Sequence, residues 1–271
     1  MADERSMTCG FIGLGSQGAP MAQRMIDAGF PVVLWARRAE TLEPYRGTAA
    51  RFAGGVAELG AQAQHVGVCV VDDAGVRQVC EALIPAMQPG GLIAIHSTIL
   101  PQTCQDLARQ AAERGIALID APVSGGEPAA KAGTLTVMVG GAADAVARAR
   151  PVFETFSQLI VHLGDVGAGQ NAKLVNNSLM AANMGLAQHA LAAGAALGID
   201  RAALVELIKA SSGRSFGFEV FARLPTPAAF KHGASLLAKD VRLLGEVLGE
   251  DPGAAGLEAA AKPFLDAALK D

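Results

Sequence analysis

Two polar side chains interrupt an otherwise apolar stretch of this sequence. Gly167 to Leu197 is built mainly of Ala, Leu, Met and Gly, and within it Lys173 and Asn177 stand one helical turn apart. That spacing puts an ammonium and a carboxamide on one face of a helix. Burial disfavours the charged form of a lysine, so a lysine in such a setting can exchange a proton near neutral pH. The alternative is a lysine that reaches solvent along its aliphatic stem, with the Asn capping a group nearby.

A second group of residues has the spacing of a phosphate cradle: Gly13-Leu14-Gly15-Ser16-Gln17-Gly18, directly after a short apolar run and ahead of a helical one. The first glycine permits a tight turn, the second lets backbone approach a pyrophosphate, and the third brings helix against strand, with helix N–H groups facing the phosphates. An ordinary Gly-rich turn is the alternative, and the strand and helix on either side argue against it. At the end of the next apolar run stand Trp35-Ala36-Arg37-Arg38, with no acidic residue to hold a ribose 2′-hydroxyl. Two guanidiniums there suit a 2′-phosphate and favour NADP, a solvated surface pair being the other reading.

Three further clusters sit at strand ends. His96-Ser97-Thr98 offers hydroxyls that can reach a nicotinamide ribose, while His96 lacks an acidic partner in its local sequence and reads as structural. Ser124-Gly125-Gly126 follows a Pro and can form a nest of N–H groups for a carboxylate, or a plain turn. Asp72 and Asp73 read as caps of the helix from Val76 to Met87.

The elements that must position these residues follow from periodicity. Thr8–Ile12, Val32–Trp35, Val66–Val71, Leu92–Ile95, Ile116–Ala121, Leu135–Val139 and Ile160–Leu163 read as strands alternating with amphipathic segments, which predicts a mainly parallel, doubly wound α/β sheet. From about Gly169 onward helices dominate. One long helix is predicted from near Gln170 to Gly198, buried all round, either inside a bundle or in a subunit interface, because apolar residues lie on nearly every face. The Gly-rich stretch 164–169 marks the boundary, giving a dinucleotide-binding domain over 1–165 and a helical domain over 166–271.

Composition excludes several classes. A net charge of −4 without runs of like charge offers no face for nucleic acid. Aromatics make up only 4% against 51% hydrophobic residues, so small aliphatics must fill the core. The opening MADERSMTCG has no apolar leader, and Asn177, Asn183, Gln188 and His189 break the apolar run that could otherwise span a membrane, so a soluble cytoplasmic protein is expected. Cys9, Cys69, Cys80 and Cys104 lack C-x-x-C spacing and read as buried free thiols, with no metal site.

Taken together, GLGSQG, DAPVSGG (Asp120–Gly126), GTLTVMVGG (Gly133–Gly141), GAGQNAKLVNN (Gly167–Asn177) and Lys239-Asp240 appear in an order that resembles the β-hydroxyacid dehydrogenases, such as 3-hydroxyisobutyrate dehydrogenase and tartronate semialdehyde reductase. The resemblance covers almost the whole chain. It implies a Rossmann-type domain followed by an all-α domain with a long interdomain helix, Lys173 as the catalytic residue, and substrate bound by Asn177, Ser124, Gly125 and Gly126. It also implies cofactor contacts from Thr98 and from the backbone of Val70 and Val71, Lys239 closing over the nicotinamide end, and Arg37 selecting NADP. Val70-Val71 stands where members usually carry Leu-Pro, and by the same resemblance a C-terminal helix and acidic tail are expected to lie past Asp271. 6-Phosphogluconate dehydrogenases have a histidine where Gln170 stands, and imine reductases usually lack the lysine.

The expectation is therefore an oxidoreductase moving a hydride between NADP(H), or NAD(H), and a small 3-hydroxy acid or its semialdehyde. An imine reductase and a non-catalytic NADP-binding sensor are the rivals. The apolar surface of the long helix, with Gly185 and Gly194 offering close approach, predicts a homodimer or a tetramer of dimers.

Overall fold

The computed structural model describes residues 6–270, so the opening segment read for a leader lies partly outside them. The chain begins β1 (Cys9–Ile12), α1 (Gly18–Asp27), β2 (Val32–Trp35), β3 (Arg51–Phe52), α2 (Val56–Gln62), β4 (His65–Val68), α3 (Asp73–Ala86) and β5 (Leu92–Ile95). It continues through α4 (Pro101–Ala112), β6 (Ala117–Asp120), β7 (Val123–Ser124), α5 (Gly126–Ala132), β8 (Leu135–Gly140), α6 (Ala143–Phe153) and β9 (Ser157–Gly164). The sheet runs β3-β2-β1-β4-β5-β6-β8-β7, with β9 paired to β8. Pairing is parallel from β3 to β6 and between β8 and β9, and antiparallel where β8 meets β6 and β7.

Register decides where the functional loops emerge. Ile12 is level with Trp35 and Val68, Val68 with Ile95, and Ile95 with Asp120. The segments that follow these five residues therefore leave the same carboxyl edge. Strand order reverses at β1, flanked by β2 on one side and β4 on the other, which is where open α/β sheets bind ligands.

Both faces of the sheet are covered, which is why its strands read as continuous apolar runs. Phe11 and Leu34 pack with Met21, Phe153 and Phe156 on one face, while Ile12 and Val33 pack with Leu83 and Ile93 on the other. Each large side chain so buried is worth about 1.5–3 kcal/mol relative to exposure. The predicted strand from Val66 to Val71 stops at Val68, because the chain turns there toward the Asp72 cap. The Asp72 carboxylate accepts the Gly75 N–H at 2.9 Å, whereas Asp73 reaches to the start of α4 and accepts the Leu100 N–H at 3.0 Å and the Thr103 hydroxyl at 2.7 Å.

The remaining elements are helical: α7 (Ala168–Ala196), α8 (Arg201–Ala210), α9 (Phe216–Arg223), α10 (Lys231–Leu248) and α11 (Pro252–Leu269), with a 3-10 turn at Pro227–Phe230. Side chains of Asp200, Ser215 and Asp251 cap α8, α9 and α11. Their core gathers Met184, Phe218, Phe221, Leu237 and Phe264. The described residues divide into two compact units between Lys173 and Leu174, inside α7.

The long helix is not buried all round within its own chain, which removes the bundle alternative for one face: Val175, Leu179 and Leu186 form an exposed apolar stripe at helical spacing, each about half exposed. The close approach expected at Gly185 and Gly194 is also taken up within the chain. A Cβ on Gly185 would overlap the Ala260 carbonyl of α11, and one on Gly194 would meet Leu204 of α8. No helix among the described residues is long and apolar enough to cross a membrane.

Candidate functional site

The loop after β1 has the geometry its three glycines require. Gly13 adopts φ +98°, and a Cβ there would overlap the Cys69 carbonyl; a Cβ on Gly18 would overlap the Gly13 carbonyl oxygen. Neither position admits a side chain. Gly15 has no heavy atom within 4 Å of a notional Cβ, so its backbone faces open space. Leu14 turns its side chain into the core, leaving its backbone to the loop, while Gln17 precedes α1 without a side-chain cap and the first turn carries no acid. Uncapped N–H groups beside an open glycine fit the pyrophosphate of a dinucleotide.

Arg37 and Arg38 follow β2 on the surface. The Arg37 guanidinium donates to Gln78 of α3 at 3.2 Å, and Arg38 lies 3.8 Å from Glu40 with both side chains more than two-thirds exposed. Neither ion pair nor hydrogen bond buries them. After β4, the Val70 N–H donates to the Ser97 hydroxyl at 2.8 Å, and Val71 is largely exposed. Thr98 is half-buried in the loop after β5.

Lys173 lies in the second turn of α7 and is buried, 8% exposed. What fixes this turn is a set of residues that spacing alone did not mark. The Asp120 carboxylate, at the end of β6 and fully buried, accepts the Gly167 N–H at 2.6 Å and the Gln170 N–H at 2.7 Å. A carboxylate across the start of a helix meets both its orphan donors and its positive end. Burial pushes the Asp120 carboxyl up to about 6, and the backbone donors pull the other way. The Gln170 carboxamide accepts the Ile99 N–H at 3.1 Å and donates to the Ser97 carbonyl at 2.8 Å.

Ser124 ends β7, and Gly125 and Gly126 follow with φ +129° and +68° as α5 begins. A Cβ on Gly125 would crowd Ala129, so this turn also excludes a side chain. Two successive residues of positive φ make a sharp turn directly after Ser124, and successive backbone N–H groups in such a turn can receive an oxyanion.

In the second unit, Asn177 donates to the buried carboxylate of Asp240 at 2.6 Å, and its carbonyl accepts from Asn176 at 3.1 Å. The Lys239 ammonium stands 3.4 Å from the other Asp240 oxygen. Sequence reading paired Asn177 with Lys173 by spacing and missed Asp240 as its partner; an acid inside the Lys239-Asp240 pair on an amphipathic helix was the available signal.

The residues set aside have structural surroundings. His96 is buried, its Nδ1 2.8 Å from the Ala121 carbonyl oxygen and its ring among Phe11, Phe153 and Phe156; burial lowers its pKa to about 4. His65 is buried too, packed edge-on against Phe153, with no hydrogen-bond partner for either ring nitrogen among the described residues. All four cysteines are free thiols, and burial raises each.

Sheet topology, switch point and glycine loop together define a Rossmann-type nicotinamide-binding protein. Residues 8–164 match the family model described as the NAD binding domain of 6-phosphogluconate dehydrogenase, and residues 167–270 match that described as NAD-binding of NADP-dependent 3-hydroxyisobutyrate dehydrogenase. The chain is 38% identical over 255 residues to an NAD-dependent L-serine dehydrogenase of Pseudomonas aeruginosa, spanning 87% of this chain and 83% of the relative. It is 36% identical to the 3-hydroxyisobutyrate dehydrogenase of that organism, over 88% and 82% of the two chains. A solved Mycobacterium tuberculosis 3-hydroxyisobutyrate dehydrogenase with L-serine superimposes with TM-score 0.86 at 29% identity, covering 98% of this chain and 96% of that one. The chain belongs to the β-hydroxyacid dehydrogenase family, and the activity that membership supports is NAD(P)-dependent hydroxyacid dehydrogenation.

Proposed function

We propose that this protein is an NADP-preferring dehydrogenase of small 3-hydroxy acids, reducing the corresponding semialdehydes in reverse, with Lys173 as general acid and base. The observation that carries the reading is the buried Lys173 on a helical turn that Asp120 and Gln170 tie to the carboxyl edge of the sheet. When bound, the nicotinamide supplies or accepts the hydride. Lys173 gives a proton to the carbonyl oxygen in reduction and takes it from the hydroxyl in oxidation. Ser124 and the N–H groups of Gly125 and Gly126 hold the substrate carboxylate, and Asn177, itself oriented by Asp240, directs the substrate oxygen. Gly13 to Gly18 cradle the pyrophosphate, and Val70, Val71, Thr98 and Lys239 serve the cofactor's remaining length.

The names of the relatives support the substrate class, because L-serine and 3-hydroxyisobutyrate share a hydroxyl on the carbon β to a carboxylate. NADP preference rests on Arg37 and Arg38 at the end of β2 and on the lack of an acid in their place; the serine dehydrogenase relative is named for NAD. We assign 1–165 to cofactor and 166–271 to substrate and assembly, and read the stripe of Val175, Leu179 and Leu186 as the face on which a second copy packs to form a homodimer. The experiment is a panel: NADP⁺ reduction with 3-hydroxyisobutyrate and L-serine, and NADPH oxidation with small semialdehyde acids and cyclic imines. Turnover on the hydroxy acids and semialdehydes supports the reading; turnover on imines alone, or none, overturns it.

A further inference from the structure

Gln170 makes two hydrogen bonds that bracket one residue. Its Oε1 accepts the Ile99 N–H at 3.1 Å and its Nε2 donates to the Ser97 carbonyl at 2.8 Å, so the carboxamide holds the residues on either side of Thr98. Its own N–H is held by Asp120 at 2.7 Å, and Ser97 in turn accepts the Val70 N–H at 2.8 Å. Asp120, Gln170 and Ser97 are at most 3% exposed. One buried chain of bonds thus joins the segment after β4, the loop after β5, the end of β6 and the first turn of α7.

The side chain at this position must offer one donor and one acceptor at the end of a long stem. A carboxamide does so, and a neutral imidazole does so with less reach, while a carboxylate or an ammonium cannot. Gln170 precedes Lys173 by three residues, so both project from the same side of α7. Any movement of the Gln170 turn relative to Thr98 moves the lysine with it, and a displacement of about 1 Å at a reacting centre can cost about 10²-fold in rate.

We infer that Gln170 is a positioning residue for proton transfer: its carboxamide, spanning the residues on either side of Thr98, sets where α7 holds Lys173. The inference rests on Lys173 being the acid and base, and its test separates the two. Gln170→Met keeps volume and removes both bonds; Gln170→His keeps one donor and one acceptor. With 3-hydroxyisobutyrate and L-serine as probes and NADP⁺ as cofactor, Gln170→Met is expected to lower kcat by about 10- to 100-fold while the NADPH dissociation constant, read by fluorescence, changes less than about threefold. Gln170→His should recover about a tenth or more of wild-type kcat. In a Lys173→Ala background the Gln170→Met change should cost nothing further, because the group it positions is gone.

Wild-type turnover in Gln170→Met, a Gln170→His variant as impaired as Gln170→Met, or losses that multiply in the double variant would each overturn the inference. Should Gln170→Met fail to fold, Gln170→His with and without Lys173→Ala supplies the same cycle. Wild-type turnover in Lys173→Ala by itself overturns the underlying reading, and the inference with it.

Discussion

A Cβ on Gly18 would overlap the carbonyl oxygen of Gly13, so the backbone of the first glycine of the loop excludes a side chain from the third, while the second, Gly15, faces open space. The two kinds of glycine are therefore expected to fail differently. Gly18→Ala should lower stability by about 1–3 kcal/mol, since backbone must shift to admit the methyl. Gly15→Ala should leave the denaturant midpoint unchanged and weaken NADPH at least about tenfold, its methyl standing where the pyrophosphate approaches. Unfolding curves and cofactor titrations on the two variants distinguish these outcomes; a Gly15→Ala protein with wild-type affinity would remove the pyrophosphate from this loop.

The buried histidines set an acid limit. Burial lowers His65 from 6.5 to about 3 and His96 to about 4. Between pH 6.5 and about 4 the unfolded chain binds protons that the native state does not, so their contribution is fully present above 6.5 and is lost as pH falls. Asp120, raised to about 6, acts the other way between about 6 and 4, and one carboxyl does not offset two imidazoles. His65→Leu should flatten the loss of stability between pH 6.5 and 4. It should also add about 1–2 kcal/mol at pH 7.5, because two unpartnered ring nitrogens leave the core. Unchanged stability against pH in that variant would contradict the assignment.

Cofactor choice is expected to turn on Arg37. Arg37→Asp replaces a guanidinium fork with the acid that holds a ribose 2′-hydroxyl. The ratio of kcat/KM for NADPH over NADH should fall by about 10- to 100-fold, the weight of one charge-assisted hydrogen-bonded contact. Equal efficiency with both cofactors in the wild type would refute NADP preference.

The exposed stripe of Val175, Leu179 and Leu186 leads to a prediction about assembly. Light scattering at micromolar concentration should give at least twice the chain mass, and Leu179→Glu should reduce it to one chain. A wild-type monomer with full activity would rule the dimer out.

Strands buried on both faces were legible because their apolar runs are unbroken, and β2 and β5 match their expected bounds. Two-residue strands such as Arg51–Phe52 and Val123–Ser124 carry no pattern of their own and exist by pairing. The glycine loop was legible because its chemistry is local. Asp120 with Gln170, Gln170 with Ser97, and Asn177 with Asp240 lie 50, 73 and 63 residues apart, and only folding brings them together. Residue types at those positions were visible, but the side chain each would meet was not. What covers α7 was not legible for a related reason: composition reports how apolar a helix is, and not which neighbours cover it.

Lys173 carries the chemistry proposed for this fold, and its removal is the most direct measurement. Lys173→Ala should bind NADPH as the wild type does, because the glycine loop and Arg37 remain, while kcat for 3-hydroxyisobutyrate or L-serine falls by about 10² to 10⁴-fold, the usual weight of a positioned acid or base. Turnover within a few fold of wild type in a variant that still binds NADPH would contradict the account.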